Sequence, residues 1–412
     1  MKIKKLAAAA TAFVMAGMSG AAFCACAPRG AVLKIYNWGD YIEESLIEEF
    51  EAWYEQETNE SITVQYDTFD TNETMVMRIE TQRADYDLVC PSEYMAERMI
   101  NSGLALPVDR EIFDMGDMGM FYDGLADMVS PFDADHEYFV PYVWGTFGIM
   151  YDVDRIEVGS PEMESWSALW SDEWIEKSGK KRTLMKDSVR DAYSVARIYA
   201  NTEKLSALSN DFTDYNDAYR DELISYFSTI DDDGIAEAQK HLIDQKKVIC
   251  KYEVDDGKND MLAGTTDAWL GFFWSCDASL IMIEDGGEHF YYTVPKEGSN
   301  VWLDGWLIPK YAKNTKAANY FLKFINTHEY AAVNFEWMGE SVAVKSVMDE
   351  AKEAILADDE FEDGYYEGYK QMYVDMMFPP ADVLARCGVM RDFGMKMSTA
   401  LDSMWIDVKT IW

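Results

Sequence analysis

Between residues 33 and 101 the chain alternates strand-like and helix-like patterns, and this alternation limits the fold more than any other feature. Leu33-Lys34-Ile35-Tyr36 reads as a strand. Asn37-Trp38-Gly39-Asp40-Tyr41 reads as a turn, and residues 43–56 then place Leu46, Ile47, Phe50, Trp53 and Tyr54 at helical spacing. Ile62-Thr63-Val64-Gln65-Tyr66 repeats the strand pattern, and residues 73–83 repeat the helical one. Tyr86-Asp87-Leu88-Val89-Cys90 is a short run suited to a buried strand, and Ser92 stands as the N-cap of a helix expected over 93–101. Strands and helices in this order call for a parallel sheet flanked by helices. In such sheets ligands sit at the carboxyl ends of the strands. Trp38 and Ser92 each fall just after a strand, on that edge.

The segment ahead of the first strand sets the compartment. Lys2, Lys4 and Lys5 precede an uncharged run to residue 26, the layout of a secretory signal peptide. It ends in Phe23-Cys24-Ala25-Cys26-Ala27, where a small residue before a cysteine resembles a lipoprotein processing box. Cys26 is then the expected site of lipid attachment, although Phe23 stands where Leu is usual. Cleavage after a small residue without lipidation is the simpler alternative. The expected location is the outer face of the cell membrane as a lipoprotein, or the periplasm. Of the remaining cysteines, Cys90, Cys250, Cys276 and Cys387 lack metal-type spacing and are expected as separate, mostly buried thiols. Four histidines without an H-x-x-x-H pair argue further against a metal site, and no cofactor is expected.

A mature chain of about 386 residues is long enough for two domains with their own cores. Its 75 acidic residues against 36 basic ones give a net charge of −39, which makes nucleic acid a poor partner. A negative field steers cations inward, and 13 Trp, 25 Tyr and 20 Phe supply surfaces on which a cation can rest. Such acidity also simply aids solubility, so charge alone decides little.

A second αβ region follows. Residues 140–144 and 148–151 read as two extended stretches, 269–274 and 291–295 as strands, and 307–309 as another. Residues 316–326 form a clear amphipathic helix, and 345–412 read as mostly helical. The acidic stretch 203–250 reads as helices and loops without evident chemistry. No low-complexity linker divides the chain, which points to more than one crossing between domains.

Seven segments in one order carry a family resemblance: Leu33-Lys34-Ile35-Tyr36-Asn37-Trp38-Gly39-Asp40-Tyr41, Tyr66-Asp67-Thr68-Phe69-Asp70-Thr71-Asn72-Glu73, Tyr86-Asp87-Leu88-Val89-Cys90-Pro91-Ser92, Pro141-Tyr142-Val143-Trp144-Gly145-Thr146, Ser165-Trp166-Ser167-Ala168-Leu169-Trp170, Pro295-Lys296-Glu297-Gly298 and Trp302-Leu303-Asp304. Together they resemble the spermidine/putrescine-binding proteins of ABC transporters, and only about 200–260 fits poorly. The resemblance implies an α/β, two-lobed periplasmic-binding-protein fold of the type II kind, with the ligand in an interlobe cleft closed by a hinge. It implies an N-lobe of 31–142 plus about 304–345 and a C-lobe of 143–303 plus about 346–412. It implies binding without catalysis, a putrescine or spermidine ligand, membrane permease subunits as partners, and a monomer.

The resemblance also marks ligand residues. They are Trp38, Tyr41, Ser92, Tyr94, Asp191, Trp274, Asp277, Trp302 and Asp304, with Glu340 near a position where members commonly carry tyrosine. Ser188 stands where spermidine-preferring members often place a second carboxylate. A polyamine is an alkyl chain with an ammonium at each end, so it needs apolar walls and paired charges. Trp38, Trp274 and Trp302 suit the chain, each with cation–π attraction of about 0.5–2 kcal/mol. Asp277 and Asp304 suit one ammonium and Asp191 the other, because a buried charge without a partner is costly. The Tyr41 and Tyr94 hydroxyls suit the remaining N–H groups.

Other classes compete. A binding protein of the same fold can take a sugar, thiamine or a ferric ion. An aromatic cleft with two carboxylates is also the plan of a glycosidase. Yet no G-x-S-x-G, phosphate-binding glycine loop or Cys/His pair at a known spacing is present.

Overall fold

The computed structural model describes residues 31–254, 261–285, 289–358 and 366–410. The expected signal segment and Cys26 lie outside the described residues. The twelve strands among the described residues, numbered in chain order, are β1 (Ala31–Trp38), β2 (Ile62–Phe69), β3 (Leu88–Val89), β4 (Ala105–Leu106), β5 (Val140–Asp152), β6 (Thr183–Lys186), β7 (Ile249–Glu253), β8 (Leu270–Trp274), β9 (Phe290–Thr293), β10 (Ser299–Trp306), β11 (Ile308–Pro309) and β12 (Cys387–Gly388). The chain divides into two compact units. The first comprises residues up to Val143 with Asp304–Ala351, and the second Trp144–Leu303 with residues from Lys352 on.

In the first unit β2, β1 and β3 form a parallel sheet in that order. Helix Ser45–Thr58 buries Leu46, Phe50 and Tyr54, spaced four apart on one face, and ends at Asn59 in the left-handed conformation. Phe50 meets Phe321 edge-on with ring centroids 5.1 Å apart. Phe321 belongs to the amphipathic helix Thr315–Ile325, whose start is capped by Asn314. Burying each such aromatic contributes roughly 1.5–3 kcal/mol. Asp87 ties the same region together. Its carboxylate accepts from the Lys34, Lys313 and Asn314 amides at 2.9, 2.7 and 2.7 Å.

The turn expected from Asn37 begins later. β1 stays paired with β2 through Asn37–Thr68 and Trp38–Phe69, because the Trp38 ring packs on Phe69 at 4.4 Å. The chain turns only at Gly39 and Asp40, the latter at φ +51°.

The second unit is built on a mixed seven-stranded sheet of order β12-β10-β5-β8-β6-β7, with β9 also paired to β5. The two extended stretches expected at 140–151 are one strand, β5. Glycines keep it continuous where large side chains press on it. A Cβ on Gly145 would stand 2.6 Å from Cζ2 of Trp302, and one on Gly148 would meet Tyr292. The stretch 203–250 is helical as expected, over Thr202–Leu208, Asp217–Ser228 and Asp232–Gln245, before it enters β7. Of these four cysteines only Cys90 is buried, and Cys250, Cys276 and Cys387 are half-buried. Their partial exposure departs from the expected buried thiols, because all three lie at or next to element ends rather than within a core layer.

Candidate functional site

In the first unit the candidate residues gather where β1 and β3 end. Cys90-Pro91-Ser92 leads from β3 into helix Glu93–Asn101, and Ser92 is the N-cap residue as expected. Its side chain does not cap the helix, however. Ser92 instead sits in an antiparallel bridge to Asp304, and the Gly305 amide donates to the Pro91 carbonyl at 3.1 Å. This fixes the Asp304 carboxylate beside the strand ends.

Tyr41 Oη donates to Asp304 Oδ2 at 2.8 Å, and the Ser92 hydroxyl gives the carboxylate a second hydrogen bond. Tyr41 thus spends its proton on the acid, and its oxygen keeps acceptor capacity. Its backbone is held in turn: Tyr142 Oη donates to the Tyr41 carbonyl at 2.7 Å, and Asn334 Nδ2 donates to Tyr142 Oη at 2.6 Å. Glu340 is buried and adds negative charge to the surroundings of Tyr142. The Trp38 indole N–H is buried without a hydrogen-bond partner among the described residues.

Asn72 is a positioning residue that lies within the sequence motifs without standing out from them. Its Nδ2 donates to Ser92 Oγ at 3.0 Å and to Tyr94 Oη at 2.9 Å, and its Oδ1 accepts from the Ser92 amide at 3.1 Å. With Ser92 Oγ already accepting from Asn72, its own proton is directed to Asp304. A buried asparagine at the start of helix Asn72–Glu80 is the available signal.

Asp304 is only 8% exposed, and no ion pair among the described residues involves it. Burial pushes its carboxyl up to about 6, and the Ser92 and Tyr41 hydrogen bonds pull against that rise. Its partners are all neutral.

The second unit holds a separate cluster. β6 runs into Ser188, the N-cap residue of helix Val189–Ala200, and Asp191 lies in that helix's first turn, where the dipole favours negative charge. Trp274, the last residue of β8, donates from Nε1 to Asp191 Oδ2 at 3.0 Å, and Ser188 supplies another hydrogen bond. Burial raises Asp191 to about 6, opposed first by Ser188 and Trp274 and more weakly by the distant charge of Lys186. Like Asp304, it makes no ion pair among the described residues. Trp302, on β10, packs over Gly145 and has a buried indole N–H without a partner among the described residues.

Asp277, expected to meet a ligand ammonium, lies against an ammonium of the chain itself. Lys186 Nζ lies 2.5 Å from Asp277 Oδ2 and 3.2 Å from Glu253 Oε1, donates to the Val254 carbonyl at 2.6 Å, and stands 4.2 Å from the Trp274 ring centroid. The lysine side chain is fully buried. Burial by itself would lower the ammonium, but the two carboxylates outweigh it and hold Lys186 above the ordinary lysine value. Sequence reasoning misses both Lys186 and Glu253. The signal is a charged residue closing a buried strand, Thr183-Leu184-Met185-Lys186, and an acid closing β7 just past the stretch read as chemically silent. Among the described residues no group of three or more histidine, cysteine or acidic side chains is arranged to hold a metal.

Asp304 and Asp191 are thus two buried carboxylates held by neutral donors, and a model of the bacterial extracellular solute-binding proteins matches residues 45–362. The chain belongs to that family. This solute-binding protein is 29% identical over 296 residues to the spermidine/putrescine-binding periplasmic protein of Salmonella typhimurium, covering 71% of each chain. It is 24% identical over 384 residues to the putrescine-binding periplasmic protein PotF of Escherichia coli, covering 92% of this chain and 91% of the other. Among solved structures it resembles the spermidine/putrescine ABC transporter substrate-binding protein PotD of Streptococcus pneumoniae. That match has a TM-score of 0.66 and 26% identity, covering 92% of this chain and 98% of the other. The solute-binding protein thus has the α/β fold of periplasmic binding proteins, and its family is one of binding proteins, not enzymes. The family is extracellular. Among the described residues no helix is long and apolar enough to cross a membrane.

Proposed function

We propose that this protein captures a polyamine, putrescine or spermidine, outside the cytoplasm and delivers it to the permease subunits of an ABC importer. The observation that carries the reading is the state of Asp304. A carboxylate so buried, held by two hydroxyls and no cation, is costly when ionised until a cationic ligand pairs with it. Asp191 repeats the arrangement in the second unit. Each unit thus contributes one carboxylate suited to an ammonium, and Trp38, Trp274 and Trp302 offer apolar faces suited to methylenes. The names of the relatives support this ligand class. The two compact units are the two lobes in this reading, and the protein acts as a monomer.

Isothermal titration against putrescine, spermidine, thiamine and maltose at pH 8 tests the proposal. Micromolar or tighter binding of at least one polyamine, with no maltose binding, is the expected result. Absence of heat with both polyamines overturns it. We further propose membrane attachment through a lipid on Cys26. Cys26→Ala is expected to lose the acyl label and leave the membrane fraction, and retention of both would remove the anchor.

A further inference from the structure

The Lys186 ammonium sits in surroundings that resemble those expected for a bound ligand ammonium. It has a carboxylate at 2.5 Å, a second at 3.2 Å, a backbone carbonyl at 2.6 Å and an indole face at 4.2 Å, with the Phe273 ring at 5.4 Å. Carboxylates and π faces are the chemistry that recognises alkylammonium groups. These groups come from three strands and a helix: Lys186 closes β6, Glu253 closes β7, Trp274 closes β8, and Asp277 lies in helix Ser275–Asp285. Trp274 also belongs to the ligand cluster, since its N–H holds Asp191. Lys186 therefore fills an ammonium cage that shares a wall with the ligand's own receptor. The Asp277 side chain, one-tenth exposed, lies at the edge of the cage, while Lys186 itself is fully covered.

We propose that Lys186 is a specificity-determining residue, a tethered ammonium that fills the Asp277–Glu253–Trp274 cage and so denies it to an additional ammonium of a longer polyamine. This inference rests on the polyamine reading. With Lys186 in place, the second unit's cluster offers Asp191 as its one buried carboxylate without an ion pair among the described residues. The protein then suits a two-ammonium ligand better than a three-ammonium one. Without Lys186, Asp277 loses the ammonium held between it and Trp274, and the cage becomes a receptor for one more alkylammonium.

The test compares Lys186→Ala with the wild type, using putrescine and spermidine in titration and n-butylamine in thermal denaturation. Wild type is expected to bind putrescine at least as tightly as spermidine. In Lys186→Ala the spermidine-to-putrescine affinity ratio is expected to rise tenfold or more, and millimolar butylamine is expected to raise the melting temperature of the variant but not of the wild type. Adding Asp277→Asn to Lys186→Ala is expected to abolish both gains. An unchanged affinity ratio in a folded Lys186→Ala protein overturns the proposal, as does a wild-type preference for spermidine of tenfold or more. Should Lys186→Ala fail to fold, Lys186→Met/Glu253→Gln, which leaves Asp277 alone against Trp274, takes its place in the same measurements, and the same results uphold or overturn the proposal. The butylamine arm separates the two readings. Stabilisation of the variant by the monoamine upholds the cage even if no polyamine binds the wild type, a result that would remove the polyamine assignment alone.

Discussion

Asp304 in the first unit and Asp277 in the second are both buried aspartates that follow a tryptophan within three residues, Trp302 and Trp274. Their surroundings are opposite. Asp304 is held by two hydroxyls and has no cation, so burial raises its carboxyl to about 6. Asp277 is clamped to a buried lysine at 2.5 Å. The first is a buried acid held by neutral groups at a cost in stability. The second is a completed ion pair whose removal leaves a buried charge stranded. Their roles differ because of the partner, not because of the acid.

The largest test of this contrast is Asp304→Asn. Losing one partner of a buried ammonium–carboxylate pair costs about 3–5 kcal/mol, or roughly two to three and a half decades of polyamine affinity. The unliganded variant is nonetheless expected to melt higher than wild type at neutral pH, since it no longer buries an ionised carboxylate held only by neutral groups. Affinity within twofold of wild type would remove Asp304 from the site.

Acidification comes next. Because Asp304 and Asp191 bind protons more tightly folded than unfolded, their contribution to stability falls as pH rises from the ordinary aspartate value of 3.8 to about 6, and the deficit is complete above that. Ligand binding runs the other way. It needs the carboxylates, while the ammoniums of the ligand stay charged throughout. Affinity is therefore expected to be flat above about pH 7 and to fall as pH drops through 6, by about tenfold per carboxylate at pH 5. Titration at pH 8, 6 and 5 reads this directly, and a flat profile would show that neither acid meets the ligand.

The smallest expected effect on affinity is that of Asp277→Asn, less than tenfold for putrescine, with a lowered melting temperature. Among the described residues Lys186 then keeps Glu253 alone as its carboxylate partner. The pair of aspartate variants should thus move melting temperature in opposite directions. If Asp277→Asn weakens binding as much as Asp304→Asn does, the two acids are equivalent after all and Lys186 is a bystander.

Much of the architecture is legible because it is written in short-range periodicity. Leu46, Phe50 and Tyr54 four apart announce a helix face, and the apolar Leu88-Val89 followed by Pro91-Ser92 announces a strand ending in a helix start. That places Trp38 and Ser92 at strand ends without any knowledge of the fold. Boundaries are less legible. The 13 residues of β5 read as two stretches, because the glycines that let Trp302 and Tyr292 press on the strand look like breaks.

The order of strands and helices, and the acids and aromatics that lie at their ends, follow from the residues alone. How each buried charge is satisfied follows only from the folded arrangement. Tyr41 and Asp304 are 263 positions apart, and Lys186 and Asp277 are 91 apart. Local periodicity records which face of an element is buried. It carries no record of which distant side chain arrives beside a carboxylate, yet at a few ångströms in a poorly solvated interior that neighbour sets whether the acid is a receptor or a finished pair.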